Sequence, residues 1–170
     1  MSQRKVRPIR IDGDIAYVPL TKGYEATIDA SQAHLVAPYN WCAQVARNTV
    51  YAVRSYSVGG KKQKVMMHRV LAGASDGLEV DHINMCGLDN RLENLRCASK
   101  KENARNRPKQ SNNTSGFKGV AWDASRKKFQ VQIMGEGERI YIGRYDSASD
   151  AARAYSDAVK QYHGCFGRTE

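Results

Sequence analysis

Residues 78–107 read LEVDHINMCGLDNRLENLRCASKKENARNR. A short apolar run, LEVDHI, ends in Asp81-His82 and reads as a strand. A polar loop with Gly87 and several asparagines follows, then LRCAS as a second strand. Ser99 stands as N-cap of a short helix, KKENARNR, that stops before Pro108. The order is strand, loop, strand, helix. Asp81 and His82 sit at the end of the first strand, Asn94 closes the loop and Asn103 lies on the helix. A helix packed across the hairpin could bring Asp81 and Asn103 to one point.

Each of these residues alone has an ordinary structural reading. Asp-His is a common pair, Asn94 would be a turn residue, and Asn103 an exposed helix residue. Turn chemistry does not demand their joint spacing. The stretch, with HRVLAG at 68–73 before it and DNRLENLR inside it, resembles the HNH endonucleases and their ββα-metal finger. The resemblance covers about 40 residues, and its branch is that of phage and intron homing enzymes. It implies that Asp81 and Asn103 hold one divalent cation per active site. Their hard oxygen donors suit Mg²⁺ or Mn²⁺ better than zinc. It implies His82 as the general base against a phosphodiester, with an ordinary pKa that leaves it neutral at working pH. Asn94 would bind loop backbone and so orient His82. The products would carry a 5′ phosphate and a 3′ hydroxyl. Arg91 and Arg96 read equally as phosphate contacts and as solvated surface, and His68 as a structural residue.

Outward from the finger, residues 1–66 are β-rich. IRIDGDIAYVPL (9–20) and TVYAVRSYSVGGKKQKVMM (49–67) each hold a glycine turn between β-prone runs and read as hairpins. SQAHLVAPYNW between them reads as a short helix. The basic clusters Arg4-Lys5-Arg7-Arg10 and Lys61-Lys62-Lys64 read equally as DNA-backbone contacts and as solvated faces. Residues 108–115, PKQSNNTS, contain no apolar residue and read as a linker.

From Gly116 the pattern is regular: strands FKGVAW, KFQVQIM and RIYIGRY, then an Ala-rich helix capped by Ser147 and ended by Gly164. Period-two alternation puts Phe129, Val131 and Ile133 on the helix side, with Gln130, Gln132 and Met134 opposite. In the third strand Arg139, Tyr141 and Gly143 share the outer face. This run is similar to the APETALA/ethylene-response-factor DNA-binding domain of plants. That likeness implies a sheet laid in the major groove, with Lys118, Trp122, Arg126, Lys128, Gln130, Gln132, Arg139 and Tyr141 as DNA contacts. Ala121 and Met134 stand where plant relatives typically carry arginines, so the plant target is not expected.

The 170 residues carry 27 Lys+Arg against 17 Asp+Glu, a net +10. The excess is spread: 16 basic and 10 acidic residues lie in 1–105, and 11 and 7 in 106–170. A folded basic surface for double-stranded DNA is expected, not a basic tail. No apolar run approaches membrane length and no signal core opens the chain, so no membrane partner and a cytoplasmic location are expected. Four cysteines without a CxxC pair argue for reduced thiols and against a zinc staple. The expected fold class is α+β: a β-rich part (1–66) leads into the finger (67–107) to make a nuclease domain, followed by the linker (108–115) and a three-stranded antiparallel sheet on one helix (116–170). The expected function is a monomeric, metal-dependent HNH homing endonuclease that nicks one DNA strand. The competing readings are a DNA-binding regulator with a relic nuclease fold and, behind it, an RNA-binding protein.

Overall fold

The computed structural model describes residues 5–169, so Arg4 of the first basic cluster lies outside the described residues. Two compact units divide between Ser99 and Lys100. The fold class is the expected one, α+β, with small antiparallel sheets and few helices.

In the N-terminal unit, β1 (Arg10–Asp12), β2 (Ile15–Pro19) and β3 (Glu25–Asp29) form one antiparallel sheet. A single helical turn, α1 (Ala33–Val36), ends two residues before Pro38, which has no backbone N–H with which to continue the ladder. A second sheet holds β4 (Cys42–Val45), β5 (Val50–Val58) and β6 (Lys61–Met66). Both hairpins expected from the glycine turns are present, between β1 and β2 and between β5 and β6. The strands β3 and β4 were not legible in advance. Alternation explains the first sheet's inner face: Ala16, Val18, Ala26 and Ile28 are buried with Val36, Trp41 and Met67. Trp41 is buried with its polar end satisfied, because its indole N–H donates to the Val36 carbonyl at 3.0 Å. Each such large apolar side chain contributes about 1.5–3 kcal/mol of transfer free energy.

α2 (Met67–Leu71) then presents Met67, His68 and Leu71 inward. β7 (Glu79–His82) and β8 (Leu95–Ala98) pair antiparallel, with Asp81 opposite Arg96 and His82 opposite Leu95.

The C-terminal unit opens with α3 (Lys100–Arg105). The helix assigned from sequence to the finger therefore counts with the C-terminal unit. β9 (Val120–Asp123), β10 (Lys128–Met134) and β11 (Arg139–Tyr145) form a sheet with β10 central. β9 begins at Val120, later than the FKGVAW run suggested, because Gly119 adopts a left-handed φ of +72°. That glycine also lies on an aromatic ring: an added Cβ would stand 2.0 Å from Tyr155. α4 (Ala148–His163) covers the sheet, and its Ser147 hydroxyl accepts from the Asp150 N–H at 3.0 Å, the expected cap. Ala151, Tyr155, Ala158 and Val159 meet Val120, Val131 and Ile133 in a second core. Residues 108–115 are not a bare spacer. The Asn113 amide donates to the Phe117 carbonyl at 2.8 Å, and the Lys109 ammonium to the Gly116 carbonyl at 2.7 Å.

Candidate active site and nucleic-acid face

The β7–β8 hairpin and its loop gather three of the four proposed catalytic and metal residues. His82 is buried at the end of β7. Its Nε2 lies 3.2 Å from Asn90 Oδ1. The Asn90 amide Nδ2 donates to the Leu88 carbonyl at 3.1 Å, which directs Oδ1 at the imidazole. An accepting amide oxygen requires the tautomer with hydrogen on Nε2 and the lone pair on Nδ1. Burial holds His82 below its ordinary pKa, against the Asn90 bond and the Asp81 and Asp89 carboxylates, which act upward. The imidazole is therefore neutral near pH 7.

Asn94 holds the loop. Its Oδ1 accepts from the Asn84 N–H at 2.9 Å, and its Nδ2 donates to the Asp89 carbonyl at 2.7 Å. It binds backbone, whereas the ring contact comes from Asn90, a residue with no role in the sequence reading. Asn90 is fully buried, and its N–H donates to the Thr27 carbonyl at 2.7 Å, docking the loop on β3. Nothing in the sequence separated Asn90 from the other loop asparagines, because only the folded loop shows which one faces the imidazole.

Asp81 is buried and bound by Arg96, whose Nη2 lies 2.7 Å and Nε 3.0 Å from Asp81 Oδ2. Arg96 thus faces a carboxylate across the hairpin. Arg91 is held in the same way: its Nε and Nη2 each lie 2.8 Å from the Asp89 carboxylate, and Nη1 lies 2.7 Å from Glu93. Asp89 is drawn below its ordinary pKa, chiefly by the Arg91 hydrogen bond. His68 is buried beside His82, ring centroids 4.9 Å apart and nearly perpendicular, and Tyr51 lies 5.7 Å and 5.9 Å from the two rings. Burial, then His82 and Arg69, brings the His68 pKa down to about 4. Gly87 lets the loop approach, since a Cβ there would stand 2.5 Å from the Val50 carbonyl and 2.7 Å from the Tyr51 ring. Asn103 lies on α3, in the C-terminal unit.

The metal can be tested against the donors present. Among the described residues no group of three or more His, Cys, Asp or Glu side chains could cage an ion. Structural zinc asks for such a cage. Mg²⁺ typically takes one or two protein oxygens and completes its shell with water and substrate phosphate, and a buried carboxylate such as Asp81 fits that demand. All four cysteines are exposed and none forms a disulfide.

In the C-terminal unit the β9–β10 and β10–β11 registers sort the proposed DNA contacts. Lys128, Gln130 and Gln132 alternate with the buried Val131 and Ile133, and Tyr141 and Arg139 pair with Gln132 and Met134 on that outer face. Three expectations are corrected. Trp122 pairs directly with Phe129, and their rings meet at 4.8 Å, so Trp122 belongs to the helix-side face, although it is 48% exposed. A bulge in the β10–β11 register pairs Gly143 with buried Val131, so Arg144 takes the outer position opposite Gln130. Arg144 donates to the Tyr141 hydroxyl at 3.0 Å and to Asp123 at 3.1 Å. Lys118 is turned inward: its ammonium donates to the Arg105 carbonyl at 2.8 Å and the Arg107 carbonyl at 2.6 Å. Burial, with Arg168 acting in the same sense, brings its pKa down to about 8. Arg126 is exposed with Asp123 at 3.4 Å, and Lys128 faces Asp146 at 3.0 Å. In the first basic cluster, Arg10 stacks on Tyr17 and faces Glu25 at 3.4 Å.

The buried histidine at the end of β7, the loop asparagines and the neighbouring aspartate all lie within the stretch that the family comparison matches. The HNH endonuclease family model matches residues 66–105, and the chain belongs to that family. It is similar to Protein 3.8 of Escherichia phage T7, 34% identical over 92 residues, which span 54% of this chain and 75% of that protein. No solved structure matches the chain. No helix among the described residues is long and apolar enough to cross a membrane.

Proposed function

We propose that this chain is a metal-dependent DNA endonuclease of the HNH homing type that hydrolyses a phosphodiester and nicks one strand. The observation that carries the reading is His82, buried, kept neutral and fixed by Asn90. Its Nδ1 takes the proton of the attacking water as that oxygen bonds to phosphorus and the bond to the 3′ oxygen breaks. Asp81 and Asn103 are the proposed oxygen ligands of one Mg²⁺ or Mn²⁺. When bound, the ion neutralises charge developing on the phosphate and the leaving oxygen. Asn94 holds the loop that presents Asn90 to the base.

The C-terminal sheet, in this reading, is an APETALA-like module that sites the enzyme. Gln130, Gln132, Arg139 and Tyr141 on its outer face serve as base and backbone contacts, with Arg126 and Lys128 at phosphates. The protein acts on double-stranded DNA as a monomer, in the cytoplasm of the cell that makes it. With one base per chain, a single binding event cuts one strand. The Asp81–Arg96 pair favours the second reading, a DNA-binding regulator with a relic nuclease fold, because an ion must share that carboxylate with a guanidinium.

Incubation of supercoiled plasmid with Mg²⁺ or Mn²⁺ separates the two. Open-circle product that disappears with EDTA and in His82→Ala is the expected result. Tight binding in a gel shift with no product in either metal would overturn the nuclease and leave the regulator.

A further inference from the structure

The segment read from sequence as helix end and linker forms one wall of a groove in the C-terminal unit, with a volume of about 790 Å³. Its other wall is the sheet, with Gln130, Gln132 and Met134 of the central strand, and it reaches Ile133, Tyr155 and His163 on the helix side. Five cationic side chains besides Lys118 line it: Lys101, Arg105, Arg107, Lys109 and Arg139. Among the described residues no Asp or Glu lines it. Five like charges around one concavity repel each other, and a fold tolerates them where counter-charge is supplied from outside. Lys118 explains why the wall stands where it does. Its ammonium binds the carbonyls of Arg105 and Arg107, so the backbone is pinned while those residues' guanidinium groups remain available to the groove.

We propose that this groove is a second DNA-contact site, in which Lys101, Arg105, Arg107 and Lys109 grip the sugar-phosphate backbone of duplex DNA whose bases meet the sheet, with Lys118 as the positioning residue. The inference rests on the DNA reading above but not on catalysis. It makes residues 101–109 part of the interface and not a spacer. The occupant is a polyanion by charge, and duplex DNA by continuity with Gln130, Gln132 and Arg139, which line the same groove.

The test uses the full chain, EDTA and a fluorescent duplex, with anisotropy read across a salt series. Removing one phosphate-binding cation lowers the slope of log K against log salt by about 0.9. Lys101→Gln with Arg107→Gln should lower it by about 1.8 and weaken binding at least tenfold at moderate salt. Arg153→Gln with Lys160→Gln removes the same charge from exposed positions of α4 and should leave the slope unchanged. Lys118→Met keeps the other five cations of the groove and should lower the slope by more than the about 0.9 that its own charge accounts for. Far-ultraviolet circular dichroism confirms that each variant is folded. Equal slopes for the groove pair and the wild type, or equal reductions for the groove and α4 pairs, would overturn the groove while leaving DNA binding intact. A reduction confined to single-stranded RNA would also overturn it. No binding of any duplex by the wild type would instead overturn the DNA reading itself.

Discussion

His82 Nε2 and Asn90 Oδ1 stand 3.2 Å apart inside the loop between β7 and β8, and the asparagine is fully buried. That pair sets the ring plane and the tautomer, and in the proposed reaction it positions the base. Asn90→Ala should therefore reduce the rate of DNA nicking about 10–100-fold while DNA affinity changes little. His82→Ala should cost about 10²–10⁴-fold. Single-turnover cleavage beside anisotropy checks both, and an unchanged nicking rate in Asn90→Ala would remove the positioning role.

Arg96 and Asp81 form a largely buried pair, with side chains 14% and 9% exposed. Removing the guanidinium takes away a buried carboxylate's counter-charge. Arg96→Gln should lower stability by about 3 kcal/mol in urea titrations. It should also make the melting temperature rise more steeply with added Mn²⁺ than in the wild type, because the ion no longer competes with a guanidinium. Equal Mn²⁺ responses would detach Asp81 from the metal.

Acid should weaken the N-terminal unit. The folded His68 titrates near 4, below its ordinary value of 6.5, so the unfolded chain binds a proton first as pH falls. Stability is full above pH 6.5 and declines toward pH 4, by up to about 1.4 kcal/mol per pH unit for this group. His82, lowered in the same direction, adds to the slope. Urea midpoints between pH 7.5 and 4.5 should show the decline, and His68→Gln should make it shallower.

Gly119 carries a left-handed backbone against the Tyr155 ring. Gly119→Ala is expected to destabilise the C-terminal unit by about 2–4 kcal/mol, combining strain with overpacking. A melting temperature within 2 °C or so of wild type would contradict this placement of the ring.

Trp122 and Tyr141 are almost equally exposed, 48% and 50%, yet lie on opposite faces of one sheet. Tyr141→Ala should weaken duplex binding several-fold, and Trp122→Ala should leave it within about twofold. A reversed order would put the DNA on the helix side.

Local patterns carried much of the architecture. The two glycine hairpins, the β7–loop–β8 order, the three C-terminal strands and the Ser147 cap follow from turn chemistry, period-two alternation and capping, which act within a few residues. The same local spacing, with the family resemblance, singled out Asp81, His82, Asn94 and Asn103. Long-range pairing decided the rest. The Asn90 contact to His82 depends on the loop docking at Thr27, over sixty residues earlier in the chain. The face of Trp122 depends on its partner Phe129, and that of Arg144 on a bulge opposite Val131, because a one-residue change of register turns every side chain over. Lys118 read as a surface cation until its ammonium met two carbonyls from a segment more than ten residues away. The sequence by itself determined which elements form and which residue types carry the chemistry. Tertiary structure alone decided which of those side chains face each other, because hydrogen bonds and register pair groups by position in space and not by distance along the chain.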